Sequence, residues 1–572
     1  MISPIKNSYW PHLNNPQWSQ FSEYACLYEA VRNSGLPNHL KAKITVPSAL
    51  NLPAWESLLA NYHDKELCQF LRYGWPVGYT ASAPPPPVNR NHDSATDFPE
   101  HIKRFLAKEL KLGGLLGPFT DFPFTPWCHT APLLTTPKKD SKERRVVLDL
   151  SYPKGTGVNG GITKNCLEGK ARPYTLPSVE DLVTKVQMLG PHCYLWKADL
   201  ARAYRQLRTD PFDVPLLTVR FENQYWVDIC PSFGARLSGA ACQRTTTAVV
   251  YLLAKRGIWS LAYLDDFCGA AATLAEAETA YQTFLTLAET LGLSLSPSKC
   301  QPPTKAMEWL GFQFDTTRMT LTIPKTKLRD ILQECTEWSS KKVATKKQVQ
   351  SLAGKLNHIS KCIRPARKFI GRILGSLRFA PERGSLFISN DFKADVSWFL
   401  NYATMPNGLI LLEPTNTEFC IDCDSSEVGG GGNSNSHYYH LTYDRQHIKA
   451  YKPICKLEAV NLLIAYRSLI PPKSAGLKII IYTDNLGSQQ ALESGRTHDK
   501  VLAACTRQLW LEAATHNHTI VIRHKMGKKI PLADALSRQH QEVGRREAAR
   551  LVAQRGLTRV DPALPHPMFN TI

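Results

Sequence analysis

The stretch LAYLDDFCG, Leu261–Gly269, sets two adjacent aspartates among apolar residues, and no feature of the 572-residue chain constrains its fold more tightly. Its apolar and aromatic neighbours predict a strand, where paired carboxylates are costly unless a turn or a cation offsets them. A hairpin turn alone would explain the pair. A second apolar strand, YLWKADL, ends near Asp199, and carboxylates brought from separate strands to one point are what phosphoryl transfer by two divalent ions requires.

The charge balance agrees with such chemistry. There are 69 lysines and arginines against 49 aspartates and glutamates, a net charge of +20, which points to a polyanionic partner. Nucleic acid is favoured over an anionic membrane. No apolar run reaches the roughly 18 residues of a spanning helix, and the first residues, MISPIKNSYWPHLNN, lack an apolar signal core. The 15 cysteines are scattered singly, as expected of reduced intracellular thiols. Cys420 and Cys423 form a lone CxxC with no second pair at zinc spacing. A length of 572 residues predicts about three to five packed units, and a 43% hydrophobic content excludes a mainly disordered chain.

Local signals divide the chain. Residues 1–83 carry tryptophans but no readable chemistry, and Pro84–Pro87 predict a stiff spacer. Ile102, Phe105, Leu106 and Leu110 recur at helical spacing before Gly113 and Gly114. APLLTTPKKDSKERRVVLDLS predicts a hairpin with a basic tip. From Cys193 to Gly311 short strands alternate with helices. One of these helices, Thr273–Leu291, opens with a Thr-x-x-Glu capping box at Thr273 and Glu276. Lys341–Arg378 holds eleven lysines and arginines and no acidic residue, interleaved with Val349, Leu352, Leu356, Ile359, Phe369 and Ile373; this predicts basic amphipathic helices that contact phosphate. A second α/β pattern begins near residue 411: strand TEFCIDCDSS, glycines Gly429–Gly432, a helix from Lys456, strand LKIIIYTDN and a last helix from Pro531.

The YLDD hairpin, the D-x-x-x-A-Y segment from Asp199 and the KKDSKERRVVLDLS finger resemble motifs of reverse transcriptases, in the usual order. The resemblance implies a right-hand polymerase of fingers, palm and thumb. In it Asp199 and Asp265 would hold two Mg²⁺ ions, Asp266 would complete the acidic hairpin, and Lys138 (or Lys139) and Arg145 would grip the incoming triphosphate. Tyr204 would lie beneath the sugar and exclude a 2′-hydroxyl. Phe233 and Gly234, in PSFGARLSGAACQR, match a palm motif without its usual Ala-Pro step. Lys299, in LSPSKC, and a WLGFQF strand from Trp309 match later palm motifs, with Lys299 a candidate proton donor.

DSSEVGGG resembles the first strand of RNase H domains, and Asp424, Glu458, Asp484 and Asp534 follow in that family's order. Strand, helix, strand end and first helical turn can bring four carboxylates to two ions. Asp422, two residues away on the same strand face, rivals Asp424 for the first position. His524 falls ten residues before Asp534, in the glycine-containing loop where related nucleases carry a mobile histidine. LADALSR is typical of retroelement RNase H domains, with Ile530 standing where many have asparagine.

ELKLGGLLGPF, DLSYPKGTGVNGGI and LAGKLNHISKCIRPARKFIGRIL look most like DIRS-type retrotransposons. The expected architecture is α+β and multidomain: residues 1–88 an extension with a Pro-rich linker, 89–320 fingers and palm, 321–410 thumb and connection, 411–540 an RNase H-like α/β domain, and 541–572 a basic tail. The expected function is RNA-directed DNA polymerase with ribonuclease H, using Mg²⁺ at two per site, with Mn²⁺ a substitute. Its partners would be an RNA template, a DNA primer, the RNA–DNA hybrid and deoxynucleoside triphosphates, inside the cell and without a membrane. Lys341, Lys342, Lys346, Lys347, Lys355, Arg364, Arg367, Lys368 and Arg372 would bind the duplex backbone. The sequence has no protease Asp-Thr/Ser-Gly signature, zinc knuckle or recombinase series, so integration would need another protein, such as a separately encoded recombinase, or a lost segment. A host-adopted remnant that binds nucleic acid without catalysis, and a gypsy-like or pararetroviral polymerase, are the rival readings.

Overall fold

A computed structural model describes residues 11–564 except 127–128, 139–140, 165, 168–169, 172–173, 363–365, 367–368, 382–383, 402–408, 412–417, 444–451, 472–473, 475, 495–496, 498 and 517. Lys139, Arg364, Arg367 and Lys368 lie outside the described residues. The chain forms two compact units, Met1–Lys305 and Ala306–Ile572, each mixing helices with sheets. Among the described residues no helix is long and apolar enough to cross a membrane.

The first unit begins with helices α1 (Ser22–Ser34), α2 (Leu52–Leu58) and α3 (Leu67–Tyr73), followed by α4 (Pro99–Lys111). Residues 11–88 are part of the core, which corrects the expectation of an extension. Trp18, Tyr28 and Val31 share a buried cluster with Phe119, Leu148 and Val227, and Trp55 and Phe70 share another with Trp196 and Phe284. Trp18 Nε1 donates to the Pro123 carbonyl at 2.9 Å, and Trp55 Nε1 to that of Leu291 at 3.0 Å. The proline run marks no boundary, because Val88 beside it is buried and accepts a hydrogen bond from the Thr130 hydroxyl.

Strand β1 (Leu115–Phe119) precedes the expected hairpin of β2 (Leu133–Pro137) and β3 (Arg144–Leu148), in register from Leu133 opposite Leu148 to Pro137 opposite Arg144. After β4 (Tyr194–Asp199), strands β5 (Thr218–Phe221) and β6 (Gln224–Asp228) form a sheet in the order β1-β6-β5. Helix α5 (Ser238–Ala254), strands β7 (Ser260–Tyr263) and β8 (Asp266–Ala271), helix α6 (Leu274–Thr290) and β9 (Gln301–Thr304) complete a second, antiparallel sheet ordered β7-β8-β4-β9.

Helix α6 carries the reciprocal Thr273–Glu276 capping box and stops at Gly292, whose φ is 72°. Its Phe284 ring lies 5.4 Å from Trp196 and 4.9 Å from Phe267, fastening the helix under the acidic strands. Phe284→Ala is therefore expected to cost about 3–5 kcal/mol, read by chemical denaturation of the full chain. A loss below about 1 kcal/mol would show that α6 is not fastened by this ring.

In the second unit, β10 (Ala306–Trp309), β11 (Phe312–Asp315) and β12 (Thr320–Thr322) form an antiparallel sheet. WLGFQF is thus a turn between two strands rather than one strand, with Leu310 at φ 50° and Gly311 at φ 75°. The expected border at residue 320 falls inside this sheet and moves to Ala306. Helix α7 (Lys325–Ser340), β13 (Val343–Thr345), α8 (Lys346–Ile359), α9 (Gly371–Ser376), β14 (Ser385–Phe387) and α10 (Asn390–Asn401) follow, and β15 (Leu409–Ile410) pairs with β12. Val349, Leu352, Leu356, Ile359, Phe369 and Ile373 are buried, as their spacing predicts.

The remainder is a six-stranded mixed sheet. Strands β16 (Glu418–Ser425), β17 (Gly429–Asn433) and β18 (His437–Thr442) precede helix α11 (Ile454–Leu469), β19 (Lys478–Thr483), helix α12 (Lys500–Thr515) and β20 (Thr519–His524). Then come α13 (Pro531–Ser537), α14 (Glu542–Arg555) and β21 (Thr558–Arg559), and the strand order is β20-β19-β16-β17-β18-β21. The glycine run forms strand β17 because α13 presses on it; a Cβ on Gly431 would lie 2.3 Å from that of Leu536. Residues 541–561 are not a loose tail, which corrects the expected boundary. Ala548, Leu551 and Leu557 pack on Leu532 and Leu536, and β21 covers the sheet edge beside β18.

Candidate active sites

In the first unit Asp199 on β4 lies directly opposite Asp266 on β8, and the turn between β7 and β8 carries Asp265. Leu264 takes a left-handed φ of 54° there, and the Asp265 carbonyl accepts from the Leu200 amide at 2.9 Å. The buried Gln243 of α5 spans this turn. Its Nε2 donates to the Ala262 carbonyl at 2.9 Å, and its Oε1 accepts from the Leu264 amide at 2.8 Å. Sequence reading missed Gln243, whose only signal is a polar side chain on a buried helical face.

Lys299 Nζ sits 2.9 and 3.0 Å from the two carboxylate oxygens of Asp199. Burial pushes the Asp266 carboxyl up to about 7, with Asp199 and Asp265 adding to the shift and Lys197 opposing it. Asp265 is also raised, first by burial and then by Asp199, while Lys299 and Arg145 pull the other way. A cleft of about 490 Å³ is lined by Lys197, Asp199, Asp266, Lys299 and Gln301. Donors of this set suit a hard divalent cation.

The hairpin tip divides its two arginines. Arg144 lies 3.8 Å above the Phe98 ring and donates from Nε to Thr135 Oγ1 at 2.8 Å. Arg145, opposite Thr136, is exposed and within electrostatic reach of Asp265. Lys138 is exposed, and its amide donates to the Glu143 carbonyl at 3.0 Å.

Tyr204 stands in a 3-10 turn, Ala203–Gln206, between two anchored arginines. Arg202 and Arg205 both pair with the buried Glu109, and Arg205 reaches Asp228 at 2.5 Å. So held, the Tyr204 ring meets Phe233 edge to face at 4.7 Å, and Phe233 is 50% exposed. Gly234 has φ 121°, and a Cβ there would lie 2.2 Å from the Leu148 carbonyl oxygen. Its role is backbone approach to β3.

In the second unit Asp424 on β16, Glu458 on α11 and Asp484 after β19 bring ligand oxygens within 4.8 Å of one another. Among the described residues this is the one group so closed; Asp199, Asp265 and Asp266 are not drawn together to that degree, and Asp199 is paired with Lys299. Asp422 instead faces Lys525 at 3.5 Å, so Asp424 is the member of the cluster. Ser537 Oγ donates to Asp424 Oδ2 at 2.7 Å, and the Ser425 amide to Glu458 Oε1 at 2.9 Å. Burial above all, with the charges of Asp484 and Asp534, pushes Asp424 up to about 7 against the Ser537 hydrogen bond. Glu458 is raised well above its usual range by burial and then by Asp424.

Asp534 is not among the three carboxylates that close to within 4.8 Å; it meets Arg538, one turn on, at 2.8 Å, and its charge still acts on Asp424. His524 is the last residue of β20 rather than part of a loop, exposed, with Nε2 3.0 Å from the Asp484 carbonyl oxygen.

Of the described basic residues from Lys341 to Arg372, Lys342 and Lys347 are exposed and Lys346 is half-buried. Lys341 Nζ lies 4.7 Å over the Trp338 ring, and Lys355 pairs with Glu334 at 2.6 Å. Arg372, expected on phosphate, instead joins Asp391 at 3.5 Å and donates to the Thr497 carbonyl at 3.1 Å. The buried Asp395 lies nearby and binds Arg507 at 2.9 Å, so Arg372 is spent on internal charge.

Residues 136–314, which hold the first site, match the family model "Reverse transcriptase (RNA-dependent DNA polymerase)". The match takes in Asp199, Asp265 and Asp266. "Polyprotein P3" of Commelina yellow mottle virus is 25% identical over 216 residues, 36% of this chain and 11% of the viral protein; the chain therefore spans a small part of that relative. Among solved structures, the foamy viral protease-reverse transcriptase in complex with dsDNA is 16% identical, with a TM-score of 0.46 and coverage of 84% of this chain and 98% of that one. The same viral protein in complex with an RNA/DNA hybrid is 16% identical with a TM-score of 0.45, covering 84% of this chain and 63% of that one.

Proposed function

We propose that the chain is an RNA-directed DNA polymerase joined to a ribonuclease H-type nuclease, from a DIRS-like retrotransposon, copying element RNA and then degrading it in the hybrid. The observation that carries the polymerase is the Asp199–Asp266 register with the Asp265 turn beside it, inside the segment that matches reverse transcriptases. The nuclease rests on the Asp424, Glu458 and Asp484 cluster.

The all-oxygen donor sets fit Mg²⁺ or Mn²⁺, with Asp199 and Asp265 holding the ions in the first site, Asp266 beside them, and Asp424, Glu458, Asp484 and the nearby Asp534 in the second. Bound there, such ions activate the attacking hydroxyl or water and stabilise charge on the leaving oxygen. Arg145 and Lys138 hold the triphosphate, and Tyr204, fixed by its neighbouring arginines, limits the space below the sugar. Lys299 pairs with Asp199 and would donate a proton to the leaving group. His524, against the Asp484 carbonyl, would assist departure of the cut strand. Primer extension on poly-rA with oligo-dT, dTTP and Mg²⁺ tests the polymerase: dTTP-dependent extension is expected, and binding of the template–primer without extension would overturn the proposal in favour of a non-catalytic remnant.

The raised carboxylates set a pH dependence. Asp424 and Glu458 hold protons more tightly folded than unfolded, so the metal-free protein gains stability below their unfolded pKa near 4; the Asp424 part is lost as pH rises through about 7, and the Glu458 part is lost in the same direction. Mg²⁺ competes with those protons. Saturating Mg²⁺ is therefore expected to raise Tm by roughly 2–4 °C more at about pH 8 than at about pH 6. An equal rise at both would contradict metal binding at these groups.

A further inference from the structure

The two-stranded ribbon β13–β14 pairs Val343 with Phe387, Ala344 with Leu386, and Thr345 with Ser385. Alternation puts Ala344, 2% exposed, on the inner face, and Val343, Thr345, Ser385 and Phe387 on the outer one. The ribbon is fastened from beneath by Ile388, 1% exposed, and at its end by the Thr345–Gln348 capping box of α8. Its outer face carries an anomaly: Phe387 is 74% exposed and Val343 53%, directly opposite one another. A short ribbon gains little by displaying its largest apolar pair to water.

Charge around the pair selects a partner. Lys342 precedes Val343, Lys347 follows the ribbon into α8, and both are exposed. They belong to the stretch Lys341–Arg378, with eleven basic residues and no acidic one. Lys341 and Lys355 turn instead toward the α7 side, over Trp338 and against Glu334. What remains is an outward aromatic ring with exposed cations at the ribbon's ends, Lys347 at the start of α8 and Lys342 opposite Ile388 on the inner side, its long side chain exposed; a ring with cations within reach is the combination that holds single-stranded nucleic acid by stacking one base and contacting adjacent phosphates.

We infer that the outer face of the Val343–Thr345/Ser385–Phe387 ribbon is a contact site for unpaired nucleic acid, with a base stacked on Phe387 against Val343 and phosphates on Lys342 and Lys347. The inference rests on the proposed polymerase reading for its biological setting and adds to the expected backbone contacts of Lys342 and Lys347 the stacking pair Phe387 and Val343. A stacked base is sequence-tolerant, so the site serves any template.

The test is fluorescence anisotropy of the full chain with a labelled single-stranded RNA and, separately, a blunt RNA–DNA hybrid, over a series of salt concentrations. Phe387→Ala is expected to weaken single-strand binding ~10-fold with an unchanged salt slope, and blunt-hybrid binding less than about two-fold. Phe387→Trp restores the affinity. Lys342→Ala and Lys347→Ala each reduce the salt slope by about 0.7. Unchanged single-strand affinity in Phe387→Ala overturns the inference, and so does an equal loss on the blunt hybrid. A change of sedimentation coefficient without a change in RNA affinity also overturns it, assigning the ribbon to a second copy of the chain. Primer extension by the same wild-type preparation separates the two readings: extension with an unaffected Phe387→Ala sinks only the ribbon, while no extension with the expected Phe387→Ala loss sinks only the polymerase.

Discussion

Asp265→Asn is expected to reduce nucleotide incorporation by about 10³-fold or more, with template–primer affinity changed less than about three-fold. The substitution keeps the size of the side chain and removes the charge that a divalent ion needs; loss of several kcal/mol of transition-state stabilisation corresponds to that factor. The fold should tolerate it, because the turn is held through backbone groups: Gln243 bonds Leu264 and Ala262, and the Asp265 carbonyl bonds Leu200. Single-turnover incorporation, with circular dichroism as a folding control, reads both parts. A variant that keeps more than about a tenth of the wild-type rate contradicts the assignment.

Glu458→Gln is expected to act oppositely on activity and stability. Cleavage of the RNA strand in a hybrid should fall by about 10³-fold, since a carboxylate oxygen is lost from the cluster. In the absence of metal the variant should melt higher by roughly 2–4 °C, because Gln needs no protonation to sit beside Asp424 and keeps the bond from the Ser425 amide. Sites that hold repelling carboxylates trade stability for function, and the excess stability of the neutral variant should vanish once wild type is saturated with Mg²⁺. A lower metal-free Tm for Glu458→Gln would show the glutamate to be a structural anchor instead.

What could be read in the sequence was local. The capping box at Thr273 and Glu276, the basic hairpin and the Leu264–Asp265 turn each depend on residues within a few positions of one another, and each stands as its pattern predicts. The Asp424, Glu458 and Asp484 set was legible because each sits at a recognisable place on its own element. What escaped depends on partners far along the chain. Trp18 and Trp55 have no periodic context, and their donors are taken by Pro123 and Leu291, more than 100 residues away. Strand β21 is two residues long, too short to carry an alternating pattern, and exists because β18 offers an edge. Arg372 looked like one more member of a basic stretch, yet the acids that claim it lie on α10.

The central claim is that one chain holds two chemically separate active sites. The direct test uses a single substrate, an RNA template annealed to a labelled DNA primer, and follows extension and RNA cleavage together for wild type, Asp265→Asn and Asp484→Asn. Wild type should do both, Asp265→Asn should cleave without extending, and Asp484→Asn should extend without cleaving. Loss of both activities in either variant would contradict separate sites, and a wild-type protein that binds the hybrid while doing neither would contradict catalysis altogether.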